Sequence, residues 1–325
     1  LRRGQIGHSR ARWTANQYPG TRIYLADMVS AGKRFVNSGT EVDDMGQDNR
    51  QNTDRRPGET VAAPYVLEEL QGHVLWLTLN RPRQRNPLSS GMIAALASAV
   101  EAAGANPQVR VMVLAGSGPV FSAGHDLREM SPRPGETHEE RAVRIRQILD
   151  DCAAMMMAIV HSPKAIIACV QGTATAAGCQ LVSACDMAVA CDEASFCTPG
   201  VNIGTFCTTP LVGIGRNVHR KHAMAMALTG EMIPAADAVR FGLVNEVVPA
   251  AGLHVAVEQL AGRIASRSAQ AIRAGKETFY RQIDMPLEEA FACATDAMVE
   301  GLLSADAAEG TAAFLEKRHP VWGDA

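Results

Sequence analysis

Aromatic residues make up only 5 % of this 325-residue chain, and its 31 Lys and Arg nearly balance its 34 Asp and Glu. Few aromatics with plentiful Ala, Gly and Met argue against an all-β sandwich and for helices packed closely on a sheet. Balanced charge removes any global reason to bind nucleic acid. No apolar run approaches the ~18 residues needed to cross a bilayer, so membrane insertion is not expected. None of the eight cysteines stands in a C-x-x-C pair and no His lies at finger spacing, which argues against a zinc module. The first residues, Leu1 to Gly7, carry no apolar signal-peptide core. They are Arg-rich, as transit peptides are, yet Asp27, Glu41, Asp43, Asp44 and Asp48 follow, which transit sequences avoid.

The cysteines are Cys152, Cys169, Cys179, Cys185, Cys191, Cys197, Cys207 and Cys293. Most sit in apolar runs, which predicts buried free thiols and a reducing compartment: the cytoplasm, or the mitochondrial matrix for a eukaryotic chain.

Residues 1–62 read as a separate extension. The stretch Asn37 to Thr60 is too polar to bury enough surface to offset the entropy of ordering. From about residue 63 the pattern is regular. His73–Asn80, Val111–Ala115, Ala165–Val170 and Met187–Ala190 are apolar runs of strand length, and residues 139–160 read as a long helix. Ser89 is placed to cap a helix with apolar positions Met92, Ile93, Leu96 and Val100. Strands alternating with helices predict an α/β fold with a largely parallel sheet. After Pro210 the chain reads as helices over 222–229, 235–241, 250–266, 269–282, 286–303 and 305–317. Pro234, Pro249 and Pro286 mark helix starts. The expected division is a core over 63–250 and a helical region over 251–325.

Two stretches carry chemistry. Val120 to Leu127, VFSAGHDL, follows a strand and is small enough for a ligand to approach its backbone. Val170 to Leu181, VQGTATAAGCQL, runs from a strand through a small-residue loop into a helix near Gly178. Free amides at that helix start, with the helix dipole, favour an anion. No Lys follows the loop, so it is not a phosphate-binding P-loop. An oxyanion that develops during reaction fits instead.

Together these stretches resemble the enoyl-CoA hydratase/isomerase (crotonase) superfamily. Phe121-Ser-Ala-Gly-His-Asp126 is similar to its F-x-A-G-x-D loop, and Gly172 to Leu181 to its second, glycine-rich loop. Pro163 to Gly172, Leu228 to Pro249 and Phe314 to Trp322 resemble three further family blocks in the same order. The resemblance covers about residues 64–322. It implies the crotonase (ClpP/crotonase-like) fold of repeated ββα units, with a helical C-terminal region that builds a homo-trimer or hexamer. It implies an acyl-CoA substrate and no separate cofactor, coenzyme A being part of the substrate.

By the same resemblance, the main-chain amides of His125 and Ala177 form an oxyanion hole. Arg83 and Arg85, in a stretch similar to R-P-x-x-x-N-x-L that also holds Arg81, Asn86 and Leu88, contact coenzyme A. Ala123, Gly124, Asp126, Leu127 and Gly178 bind the substrate, the backbone of Ala123 and Asp126 meeting the adenine. Cys207 lines the acyl pocket, and Lys317, with Arg318, reaches the phosphates from a neighbouring subunit.

The chain departs from the family where protons move. Hydratases use two glutamates, and their positions here are Gln180 and Gly200. Gln180 orients a water but exchanges no proton near neutral pH, and Gly200 has no side chain. Since each such group contributes ~10²–10⁴ in rate, ordinary hydration is expected to be slow or absent. The His125 side chain, Asp126, Glu129, His138, Asp150 and Asp151 are the candidate substitutes. Two readings follow: an enzyme acting on acyl-CoA by other chemistry, or a non-catalytic acyl-CoA-binding or regulatory protein. A serine peptidase would need a Ser–His–Asp set, and no Ser occupies a recognisable nucleophile turn.

Overall fold

In the computed structural model, which describes residues 63–323, the apolar runs are the strands of one six-stranded sheet. Strands β1 (Val66–Gln71) and β2 (Val74–Leu79) form a hairpin around Gly72, whose φ of 60° suits a residue without Cβ. Helix α1 (Ser90–Ala105) starts where the Ser89 side chain accepts the Met92 N–H. Then come β3 (Val111–Gly116), β4 (Val120–Ser122), the single turn α2 (Leu127–Met130) and the long α3 (His138–His161). A capping box between Thr137 and Glu140 opens α3. The chain continues through β5 (Ala165–Val170), β6 (Thr173–Thr175), α4 (Ala177–Ala184), β7 (Met187–Cys191) and β8 (Ser195–Cys197). A 3₁₀ turn at Pro199–Ile203 leads to α5 (Pro210–Asn217), α6 (Arg220–Thr229), β9 (Ile233–Pro234), α7 (Ala235–Phe241) and β10 (Glu246–Val248). Four helices end the described chain: α8 (Leu253–Ala265), α9 (Ala269–Gln282), α10 (Leu287–Leu302) and α11 (Ala305–Leu315).

The large sheet has the order β1-β2-β3-β5-β7-β10, parallel except for the β1–β2 hairpin. Its central strands are buried on both faces, which is why they read as unbroken apolar runs rather than alternating ones. Each of β3, β5 and β7 is followed by a short strand, β4, β6 and β8, in a second sheet of order β4-β6-β8-β9. Two strands and then a helix, repeated, are the ββα units that the motifs predicted. Helix α8 seats Leu253, Val257 and Ala261 in the core, and His254 stacks on Trp76 with ring centroids 4.2 Å apart.

Most helix bounds agree with the sequence reading within two residues, and 269–282 agrees to the residue. The strands at 120–122, 173–175, 195–197 and 246–248 and the helix at 210–217 were not foreseen. Three residues are too few to display alternation, so nothing local distinguishes them from loop. The segment 250–266 also opens as a 3₁₀ turn at Ala250–Gly252 before α8. The expected unstructured stretch Asn37 to Thr60, and residues 1–62 as a whole, lie outside the described residues.

Helix α9 is held to the sheet by a buried polar clasp. Lys276 Nζ donates to Asp186 Oδ2 at 2.7 Å and to the carbonyls of Ile159 and Lys164, each at 3.0 Å. Asp186 also accepts the Ile166 N–H at 2.8 Å and the Tyr280 hydroxyl at 3.0 Å. Burial, then the Asp186 carboxylate, pushes the Tyr280 phenol well above its ordinary range. The Lys276 side chain is only 8 % exposed, so its loss strands a carboxylate and two carbonyls away from water. Lys276→Met is expected to lower unfolding free energy by about 3 kcal/mol, at the low end for a broken buried pair because Asp186 keeps two donors. Chemical denaturation at fixed protein concentration checks this, and an unchanged midpoint would refute it.

Candidate active site

Three small-sheet strands bring the chemistry-bearing residues together. β4, β6 and β8 are parallel hydrogen-bonded neighbours, so their C-terminal ends adjoin. The residues that leave those ends are Ala123–Asp126, Ala176–Gly178 and Thr198–Gly200. Ligands of α/β sheets sit at such C-terminal ends.

The first loop is zipped to Leu88. Leu88 N donates to Gly124 O at 2.8 Å, and Asp126 N donates to Leu88 O at 3.4 Å. Pairing with the residues on either side of His125 leaves the His125 N–H pointing away from Leu88. Ala123 N donates to Arg85 O at 3.0 Å, and Ser122 Oγ donates to Asn86 O at 2.8 Å. Asn86 is fully buried and answers for its place in the motif. Its amide donates to Ser117 O and Val120 O, and its Oδ1 accepts the Arg81 N–H. The sequence reading quoted this asparagine without seeing that it ties the basic turn to the first loop.

The second loop meets the first at van der Waals limits. A Cβ on Gly124 would stand 3.2 Å from Ala177 N and 2.9 Å from Thr175 O. Gly124 also has φ of 82°. A Cβ on Gly178 would stand 2.4 Å from Ser122 O, so only glycine lets the start of α4 approach β4 this closely. Ala177 is the first residue of α4, where an N–H has no intrahelical partner. Among the described residues neither His125 N–H nor Ala177 N–H donates a hydrogen bond. Two free amides on adjacent loops, one at a helix start, can receive a developing oxyanion. Ala176 between them holds φ 49° and ψ −117°, a conformation that costs a non-glycine residue about 1–3 kcal/mol.

Three buried polar atoms on the residues that leave the small-sheet strands or follow on α4 have no partner among the described residues: His125 Nε2, Gln180 Oε1 and Thr198 Oγ1. Burial lowers the His125 imidazole below its ordinary value, against the opposing charge of Glu129. Gln180 is 8 % exposed, one turn into α4. Thr198 is fully buried directly before Pro199-Gly200, and no sequence signal marked it. Gly200 donates its N–H to Cys207 Sγ at 3.3 Å. A Cβ there would stand 3.0 Å from both Cys207 N and Cys207 Sγ, so Cys207 fills the space that a side chain would need. Burial raises the thiols of Cys179, Cys197 (to about 11) and Cys207, which keeps them protonated and poor nucleophiles near neutral pH.

The other candidates are dispersed. Arg83 and Arg85 are exposed on the turn before α1, with Arg85 in the left-handed region. Arg81 is turned away: its guanidinium lies 3.9 Å over the Tyr65 ring and donates to the carbonyls of Ala63, Pro64 and Asn80. Asp126 caps α2 by accepting the Arg128 N–H at 3.0 Å, and Leu127 is exposed. Glu129 gives its carboxylate to the start of α1, and His138, Asp150 and Asp151 lie exposed on α3. Lys317 is exposed beyond α11. Arg318 is held by both oxygens of Glu309, at 2.6 and 2.9 Å, and by Glu316. No group of metal-ligating side chains occurs among the described residues.

Comparison with known proteins agrees with this architecture. The sequence profile of the family described as enoyl-CoA hydratase/isomerase matches residues 69–325. Enoyl-CoA hydratase domain-containing protein 3 of Rattus norvegicus, named as mitochondrial, is 44 % identical over 246 residues, which cover 76 % of this chain and 80 % of that protein. Its Homo sapiens counterpart is 41 % identical over 264 residues, covering 81 % and 85 %. The crystal structure of the human protein superposes with a TM-score of 0.76, covering 79 % of this chain and all of the other. An enoyl-CoA hydratase structure from Mycobacterium smegmatis gives 0.75 at 43 % identity, covering 80 % and 99 %. With the profile matched over most of its length and relatives above 40 % identity, the chain belongs to the enoyl-CoA hydratase/isomerase, or crotonase, family.

Proposed function

We propose that the protein binds an acyl-CoA thioester and polarises its carbonyl with the amides of His125 and Ala177, without the carboxylate acid–base pair of a hydratase. The observation that carries this reading is the pair of partnerless amides on loops pressed together at Gly124 and Gly178. Gln180, Thr198 and the His125 imidazole, on the same three segments, carry buried polar atoms without partners among the described residues. Such a site stabilises a thioester oxyanion but lacks a carboxylate to pass a proton to the α-carbon. Arg83, Arg85 and Lys317 are the exposed cations offered to the coenzyme A phosphates. The relatives named as mitochondrial and the eight unpaired cysteines favour a reducing compartment, the cytoplasm or the mitochondrial matrix. The alternative of a non-catalytic acyl-CoA binder is favoured by one observation: Cys207 packs on Gly200, where a hydratase holds its second carboxylate.

A panel of saturated, 2-enoyl, 3-oxo and malonyl-type acyl-CoA thioesters distinguishes the two readings. Binding with turnover of at least one thioester is expected, and calorimetric binding without any product would leave the binder reading. Replacing Ala177 by lactic acid, which exchanges one N–H for oxygen, is expected to reduce turnover by ~10²–10³ with unfolding midpoints little changed, as for other single oxyanion donors. An undiminished rate would sink the oxyanion assignment.

Gln180→Glu with Gly200→Glu is expected to raise crotonyl-CoA hydration by about 10²-fold or more. Crowding against Cys207 should cost the double variant about 1–3 kcal/mol of stability. Absence of any gain in a folded double variant would mean that more than two carboxylates separates this chain from hydratases.

A homo-trimer or hexamer is part of the same reading. Helices α9–α11 expose the large apolar side chains of Phe279, Leu287, Phe291, Leu302 and Phe314, and a covering copy of the chain would remove them from water. Light scattering coupled to size exclusion is expected to give three or six chain masses, and a monomer at micromolar concentration would contradict it.

A further inference from the structure

Beyond the two amides, the segment that follows His125 is held by a brace that no sequence motif marks. Helix α2 has only four residues and cannot stand alone, since helix nucleation is unfavourable and, although Leu127 O accepts the Ser131 N–H at 2.9 Å, the carbonyls that end the turn lack an intrahelical donor. Arg144, in the middle of α3, supplies donors. Its guanidinium donates to Glu129 O, to Ser131 O at 3.0 Å, and through two nitrogens to the Glu136 carboxylate at 2.6 Å each. Arg141, three residues earlier, donates to Met130 O at 3.2 and 3.3 Å. Three consecutive carbonyls at the end of α2 are thus taken by two arginines of one helix. The side chains of Arg144 and Glu136 are 15 % and 10 % exposed, which shields the pair from solvent.

With α2 so held, the Glu129 carboxylate reaches the start of α1 and accepts both Ser90 N–H at 2.7 Å and Ser90 Oγ–H at 2.8 Å. Two residues earlier is Leu88, whose main chain brackets His125. The bonds close a ring: His125, Asp126, α2, Glu129, Ser90, Leu88 and back to His125. The Leu88 N–H bond to Gly124 O sets the direction of the His125 N–H through their shared peptide plane, and the ring holds Leu88 and α2 in place on either side of that bond.

We propose that Arg144 and Glu129 are positioning residues for the His125 amide: Arg144 holds the turn of α2, and Glu129 ties that turn to the start of α1. The inference rests on the reading of that amide as a donor to a thioester carbonyl. Neither side chain touches the ligand in this account. Glu129, a candidate acid or base from the sequence, acts instead as a tether.

The test reads the carbonyl itself. Hexanoyl-CoA labelled with ¹³C at the carbonyl is bound to the full chain and followed by vibrational difference spectroscopy. Hexyl-CoA thioether, which lacks the carbonyl, serves as the affinity reference. The wild-type protein is expected to lower the carbonyl stretching frequency. Arg144→Met and Glu129→Ala are expected to lose much of that shift and to lose about 2–10-fold of the preference for thioester over thioether, the worth of one misaligned hydrogen bond. Glu129→Gln, which still accepts from Ser90, is expected to keep both. A general loss of stability would weaken both ligands alike and leave the shift per bound ligand unchanged. Retention of the full shift in folded Arg144→Met and Glu129→Ala overturns the proposal; if Arg144→Met does not fold, Glu129→Ala decides it. Absence of any shift in the wild-type protein overturns the amide reading first, and this inference with it.

Discussion

Everything at the candidate site depends on the parallel pairing of β4, β6 and β8. Each is only three residues long, and each is the second strand of a ββα unit. Because they run side by side in one direction, the residues that leave them must emerge at one edge. That edge collects the loop after β4, the start of α4 after β6 and the Thr198–Gly200 stretch after β8. Such short strands contribute little by themselves. They are held in register by the large sheet behind them, whose strands β3, β5 and β7 feed them in the same order. Buried strand side chains such as Leu77, Leu114 and Ile167 each contribute about 1.5–3 kcal/mol to that larger sheet. The site is thereby positioned by a core of which Ala177 is itself a part.

This arrangement explains which parts were legible in the sequence. The central strands advertise themselves because burial on both faces demands unbroken apolar runs. The glycines at 124 and 178 were visible as motif positions, and their reason is a contact: each leaves room for the opposing loop. The helices of the C-terminal third were legible from apolar spacing and from proline at their starts. What stayed hidden was non-local. Thr198 is an ordinary threonine until β8 carries it beside the second loop. Asn86 is an ordinary turn residue until its side chain is found bonded to Ser117 and Val120. Glu129 looked like a candidate acid because nothing local showed that Ser90, thirty-nine residues away, would claim its carboxylate.

The electrostatics of the site follow from what is missing. In a hydratase of this family two carboxylates face the substrate. On the proposed reading Gln180 and Gly200 take those positions with an amide and no side chain, and the nearby thiols are raised by burial. Desolvation lowers the proton affinity of the His125 imidazole against the charge of Glu129. A desolvated surrounding strengthens hydrogen bonds from amides to a developing negative charge. On the proposed reading, polarising amides without a carboxylate pair are therefore a compatible combination.

The helical third is anchored away from this edge, and that separation has a consequence. Lys276 and Tyr280 grip Asp186, which precedes β7, and Lys276 also grips the carbonyl of Lys164, which precedes β5. Both contacts are at the N-terminal ends of parallel strands, whereas the oxyanion loops leave from C-terminal ends. In the proposed assembly, packing of α9–α11 against other chains would load the sheet at the pole opposite the amides. The C-terminal helices and the two amides thus meet the large and small sheets at opposite strand ends.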